Sequence, residues 1–238
     1  MKSYIKYICF IGAIFIVSVL FVIDIKNEAK NVMEYVPVTD KVIILDAGHG
    51  GIDPGSLNAD ESIKEKDINL EIILKLKKLL ESSGALVFLT REEDVSLYEE
   101  EAGKTTRQKY NENLKNRKQM ITDINADMFI SIHLNKFEDS KYYGAQTFYP
   151  TNNPNSQSLA NFVQTELKRV VDETNNRDIK PADDLYLLKD NDISSILIEC
   201  GFLSNEKESQ LLLDGDYQDK LAWAIFVGIQ QYFTKIDV

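Results

Sequence analysis

Apolar residues along this chain fall into two kinds of run. Short, nearly continuous apolar stretches end at Asp46 (from Ile43) and span Ala85–Thr90, Asp127–Ile132 and Ser195–Glu199. Runs this short, bounded by glycine or polar residues, read as buried strands. Gly144–Tyr149 alternates and Leu185–Leu188 reads as a short strand, which brings the expected total to about six. Between them, apolar positions recur at helical spacing. Ile72, Ile73, Leu76, Leu79 and Leu80 lie on one face, and Gly84 ends that helix. Leu159, Val163, Leu167 and Val170 mark another, and Leu221, Ile225, Ile229 and Tyr232 a closing one. Lys104–Asn125 reads as a mostly polar helix with Leu114, Met120, Ile121 and Ile124 available for a core. Strands alternating with helices predict an α/β fold, a mostly parallel or mixed central sheet sandwiched by helices.

The N-terminus breaks this pattern. Lys2 and Lys6 precede an uncharged run from Tyr7 to Ile23, close to the lower limit for spanning a bilayer, roughly 17 residues. No small-residue cleavage pattern follows it, since Asp24–Lys30 is charged with a single alanine. The expectation is an anchor over 1–26, a polar linker over 27–40 and one globular domain over 41–238. Lysines before the run and balanced charge after it keep the N-terminus inside and export the remainder. Cleavage of the segment, giving a secreted protein, is the competing outcome.

Composition narrows the field only a little. A chain of 238 residues with 44% hydrophobic and 27% charged residues can bury a full core without staples. A net charge of -11 argues against nucleic acid as a partner, because phosphate contacts need clustered Lys and Arg. Cys9 and Cys200 sit in unlike surroundings, and no bond between them is expected.

Chemistry concentrates where the strands end. The first strand runs into Asp46-Ala-Gly-His-Gly-Gly-Ile-Asp-Pro-Gly55, a glycine-rich loop holding His49. The third strand ends at His133, the second of only two histidines, and the strand at Ser195 ends at Glu199. Open α/β sheets place ligands at the carboxyl ends of their strands, so neighbouring strands would bring both histidines to one point. Glu65 stands at the expected start of the first helix. Two imidazoles and a carboxylate, with a fourth position left to water, form a catalytic zinc ligand set. Each residue has a plainer reading. A histidine after a strand is more often a satisfied loop or core residue, Glu65 could be a first-turn acid with Glu61 as its rival, and Glu199 is costly to bury unless paired or functional.

Five blocks together resemble the zinc-dependent N-acetylmuramoyl-L-alanine amidases of the amidase_3 type. They are Ile44–Ser56, Glu65–Leu70, Leu89–Arg91, Phe129–Asn135 and Leu197–Asn205, in family order. The resemblance implies that His49, Glu65 and His133 bind Zn2+, that Glu199 is the catalytic acid/base, and that the substrate is the amide between the lactyl group of N-acetylmuramic acid and L-alanine in peptidoglycan. Brevity and a single anchor look like the sporulation-associated type that acts in spore cortex. Leu134 stands where the family commonly has alanine, and Cys200 where it often has a small or apolar residue. With no appended wall-binding repeats, anchoring and an accessory or activator protein are expected to localise the enzyme or switch it on.

Other readings compete with this one. An exported zinc peptidase cutting within the stem peptide, or a silent wall-binding protein, would share parts of the pattern. Two nucleotide-like motifs do not hold. Gly103-Lys-Thr105 lacks the first glycine of a phosphate loop, where Tyr98 stands, and Gly48-x-Gly50 has Asp53 in place of the third glycine. The acidic run Glu92–Glu101 reads as a solvated loop.

Overall fold

The computed structural model describes residues 12, 14–25 and 36–236. Most of the expected anchor and linker, at 1–11, 13 and 26–35, lies outside the described residues. Residues 14–25 are helical with exposed apolar side chains. Among the described residues no helix is long and apolar enough to cross a membrane. The chain divides into two units, Met1–Pro37 and Val38–Val238, close to the expected start of the domain.

The second unit is built on a six-stranded sheet in the order β2-β1-β3-β6-β4-β5. The strands are β1 (Val42–Ala47), β2 (Leu86–Leu89), β3 (Met128–Asn135), β4 (Gln146–Tyr149), β5 (Lys180–Pro181) and β6 (Ser194–Phe202). β1, β2, β3 and β6 run parallel, whereas β4 pairs antiparallel with β6. The sheet is therefore mixed. Five helices follow the strands: α1 (Glu65–Ser82), α2 (Thr106–Ile124), α3 (Pro154–Val170), α4 (Glu206–Leu212) and α5 (Gly215–Ile236). α1 and α3 both pack against α5. α2 packs elsewhere, over a cluster of Ile44, Ile121, Phe129, Leu188 and Leu197.

One expected strand is corrected. Leu185–Leu188 forms a turn, closed by bonds from the Leu188 and Lys189 amides to the Leu185 carbonyl. Leu187 and Leu188 both enter the cluster under α2, and neighbouring side chains of a strand would face opposite ways. The sixth strand is instead the two-residue β5. Its proline is tolerated because β5 lies at the sheet edge.

Topology places the site. β1 is followed by β2 on one side, and the chain then crosses back to β3 on the other. The boundary between β1 and β3 is thus the point where strand order reverses, the usual ligand crevice of open α/β sheets.

Candidate active site

His49 leaves β1 two residues after the strand's last position, and His133 lies near the carboxyl end of β3. Their rings stand edge to face, with centroids 4.9 Å apart. Glu65, the first residue of α1, reaches between them. Its Oε1 is 3.0 Å from His133 Nδ1 and 3.1 Å from His49 Nε2. Glu199 is the register neighbour of His133 across β3 and β6. The structure therefore brings all four expected residues to one place.

The glycine loop makes this approach possible. Gly48 presses against the imidazole of His133, where a Cβ would come within 2.3 Å of Cε1. Gly55, at φ +70°, sits where a Cβ would meet Glu65 Oε2 and His49 Cδ2, each at 2.7 Å. His49 itself takes a left-handed φ of 64°, a strained conformation held only where the surroundings fix it.

Those surroundings are polar and buried. Lys64, at the N-cap of α1, gives no side-chain cap. Instead the loop accepts the helix's first free amides, from Glu65 to the Ser56 carbonyl at 3.0 Å and from Lys66 to Pro54 at 3.2 Å. In return Ser56 N–H donates to Glu65 Oε2 at 2.7 Å, and Leu134 N–H donates to Oε1 at 2.9 Å. Leu134, one of the two departures from the family pattern, contributes by its backbone and is itself buried. Cys200, the other, is a free buried thiol whose pKa burial pushes up.

Several site-building residues were given no role by the sequence, although Asp46, Asp53 and Arg91 lie within the blocks that carry the resemblance. Asp53 Oδ2 is 2.8 Å from His49 Nδ1, and Asp53 Oδ1 accepts from the Gly55 amide at 3.1 Å. Arg117 of α2 is 1% exposed and donates to Asp46 Oδ1 at 2.6 Å, to the Ala47 carbonyl at 2.7 Å and to the His49 carbonyl. Asp46 also accepts from Thr90 Oγ1 at 2.8 Å and Ser131 Oγ at 2.6 Å. Burial alone would raise the Asp46 carboxyl, and Arg117, His133 and the two hydroxyls hold it low instead. Arg91 completes the brace, donating to the carbonyls of Ala47, Gly48 and Lys66 at 2.9, 3.0 and 2.7 Å. Two buried guanidinium groups therefore fix the His49 loop, and one of them ties it to α1.

The electrostatics suit a cation. Burial works against a charged His49, yet Asp53 and Glu65 outweigh it and raise this imidazole to about 10. Burial would likewise raise Glu65, but the two histidines hold it well below the usual carboxylate range. Glu199 differs. Burial, opposed by the imidazoles and reinforced by Glu65, pushes its carboxyl up to about 7. Its Oε2 is buried and finds no hydrogen-bond partner among the described residues.

His49, Glu65 and His133 form a donor set able to hold one metal ion, with ligand atoms all within 4.8 Å of one another. The two closest separations, 3.0 and 3.1 Å, approach the edge of a tetrahedron with zinc-ligand bonds, about 3.3 Å. Two imidazoles and a carboxylate are the donors of catalytic zinc sites that keep a position open. The residues present fit the ion.

Comparison with known proteins identifies the family. The N-acetylmuramoyl-L-alanine amidase family, Amidase_3, matches residues 43–231. The chain is 36% identical to the germination-specific N-acetylmuramoyl-L-alanine amidase of Bacillus subtilis (strain 168), over 99% of this chain and 98% of that protein. Among solved structures it is similar to the CwlD amidase from Clostridioides difficile in complex with the GerS lipoprotein. That likeness has 70% identity and a TM-score of 0.80, over 81% of this chain and 98% of the other. The catalytic domain of CwlV, an N-acetylmuramoyl-L-alanine amidase from Bacillus (Paenibacillus) polymyxa var. colistinus, is similar at 29% identity and a TM-score of 0.68, covering 83% and 99%. The chain belongs to the Amidase_3 family of N-acetylmuramoyl-L-alanine amidases, enzymes that hydrolyse the bond between muramic acid and the stem peptide of peptidoglycan.

Proposed function

We propose that His49, Glu65 and His133 hold one zinc ion and that Glu199 moves the proton in hydrolysis of the lactyl–L-alanine amide. The observation that carries this reading is the partnerless, buried Glu199 Oε2 beside a three-donor cluster. A buried carboxylate oxygen with nothing to accept from is costly, and a substrate or water proton removes that cost. Zinc bound there supplies a Lewis acid for the scissile carbonyl and makes an attacking water more acidic.

The chain's own residues do the rest. Asp53 fixes the His49 ring through Nδ1, leaving Nε2 for the ion. The Ser56 and Leu134 amides hold Glu65 in place. With its carboxyl near 7, Glu199 takes the proton from the attacking water and returns it to the amide nitrogen as the C–N bond breaks. A pKa near the working pH serves both halves of that task.

The likeness to a germination-specific amidase supports action in spore cortex. The CwlD relative is described with a lipoprotein, which supports an accessory protein for this chain. We assign residues 1–26 to an anchor, 27–40 to a linker and 41–238 to the catalytic domain, with the domain on the outer side of the cytoplasmic membrane. Mass spectrometry of peptidoglycan digested by the zinc-loaded chain tests the activity. Free L-alanine amino termini are expected, and new carboxyl termini within the stem would point to a peptidase instead.

A further inference from the structure

The cleft that holds the candidate metal centre has a volume of about 390 Å³. Its wall is acidic, with Asp53, Glu65 and Glu199 beside the two histidines. One lining residue has the opposite sign. Lys136 follows the last residue of β3 and is the only lysine or arginine among the described residues that line this cleft.

Neighbouring cations are engaged within the protein. Lys141 Nζ pairs with Asp139 at 2.7 Å, and Arg177 donates to the Tyr143 carbonyl at 2.7 Å and to Gln146 Oε1 at 3.0 Å. Lys136 is exposed, and its ammonium meets no acceptor among the described residues. Its main chain, by contrast, is fixed. The Lys136 amide donates to Asn135 Oδ1 at 2.8 Å, the Phe137 amide to Ser204 Oγ at 3.1 Å, and the Phe137 ring lies 5.4 Å from that of buried Phe202. A pinned backbone thus offers an unpaired charge to the cleft. Such a lysine on an open surface would simply be solvated. In the wall of a substrate cleft, on a chain of net charge -11, it is placed to draw in an anion that the surrounding carboxylates would repel.

On the amidase reading, the substrate is charged on one side of the scissile bond only. Muramic acid is neutral once its lactyl acid is tied up in the amide, whereas the stem peptide carries free carboxylates. Reach then selects among them. Lys136 lies three residues past His133, at most about 11 Å along an extended chain. The residue after L-alanine sets its α-carboxylate two residues from the scissile amide, at most about 7 Å away. The flexible four-carbon stem of lysine closes that difference, and carboxylates later in the stem lie further out. We propose that Lys136 binds the α-carboxylate of the acidic residue that follows L-alanine. The enzyme then prefers stems in which this carboxyl is free over stems in which it is amidated.

The test uses the full-length, zinc-loaded chain and two soluble substrates, N-acetylmuramoyl-L-alanyl-γ-D-glutamyl-L-lysine and its counterpart with only the glutamyl α-carboxyl amidated. A solvent-facing ion pair should favour the free acid about five-fold in kcat/KM at low salt, through KM rather than kcat. Added salt should shrink that preference toward unity. Lys136→Met should bring the acid-to-amide ratio within about two-fold of unity, Lys136→Arg should keep the preference, and Lys136→Glu should reverse it. Equal rates for the two substrates in the wild type, or an undiminished preference in Lys136→Met, would overturn the subsite. A fall in kcat common to both substrates in Lys136→Met would also overturn it, placing the ammonium at the scissile carbonyl instead. Cleavage of neither substrate by the wild-type chain would take down the amidase reading and the subsite with it.

Discussion

Asp53→Ala isolates the support of the metal centre from the metal ligands themselves. In the wild type, Asp53 Oδ2 lies 2.8 Å from His49 Nδ1, and the two side chains are 26% and 24% exposed. A hydrogen bond to an ionised group of this length contributes about 1.5–3 kcal/mol when well shielded. With a quarter of each side chain in water, the lower part of that range applies, about 1.5–2 kcal/mol. Zinc affinity should therefore fall about 10–30-fold, within the range found for carboxylates behind a ligating histidine. Because Asp53 is partly exposed and its removal opens no core cavity, the metal-free thermal midpoint should fall by no more than a few degrees. The assay is competition for zinc against a chromophoric chelator, paired with a thermal melt of the metal-free chain. Wild-type affinity in the variant would refute the claim that Asp53 orients His49, and a collapsed melt would show that Asp53 holds the fold rather than the ligand.

Three further outcomes follow from the same geometry. Gly48→Ala puts a methyl 2.3 Å from His133 Cε1, so zinc affinity should fall by more than about ten-fold; chelator competition reads it, and unchanged affinity would show that the ring has room. Arg117→Met strips the buried Asp46 carboxylate of its cation and should cost about 3–5 kcal/mol, against an effect under about 1 kcal/mol for a surface pair, measured by denaturant unfolding. The third outcome concerns pH. His49 is raised to about 10 without metal, so it is protonated below that value and zinc must displace the proton. Apparent zinc affinity should therefore rise about ten-fold per pH unit between pH 7 and 9, and proton release measured in weakly buffered solution should accompany binding. A flat profile would mean that His49 is not a ligand.

Much of the fold was legible because β1, β3 and β6 are buried on both faces and write themselves as apolar runs. Leu185–Leu188 misled for a related reason. Four apolar residues look like a strand, and only the packing of Leu187 and Leu188 into one cluster reveals a turn. α4 carried a readable signal that the sequence reading did not use. Asn205 caps it by accepting from the Glu208 amide at 3.0 Å, a common opening for a helix. The site divides in the same way. His49, Glu65, His133 and Glu199 stood out through position and resemblance, whereas Arg117 did not. It lies on the inward face of α2 among Asn113 and Ile121, so a helix with a buried polar stripe reads as merely polar. Its partner Asp46 is 71 positions away, and no local pattern joins them. Asp53 was visible inside the Ile44–Ser56 block and as a residue that spoiled a nucleotide motif, yet without a role, since its purpose depends on the bend of the loop that contains it.

The central claim divides labour between a metal-holding trio and a separate proton carrier. Zinc content and product formation measured together on Glu199→Gln test that division most directly. The account predicts one zinc per chain, as in the wild type, with release of L-alanine amino termini slowed about 10²–10⁴-fold. Undiminished hydrolysis would contradict the role given to Glu199, and loss of the zinc would place Glu199 among the ligands instead.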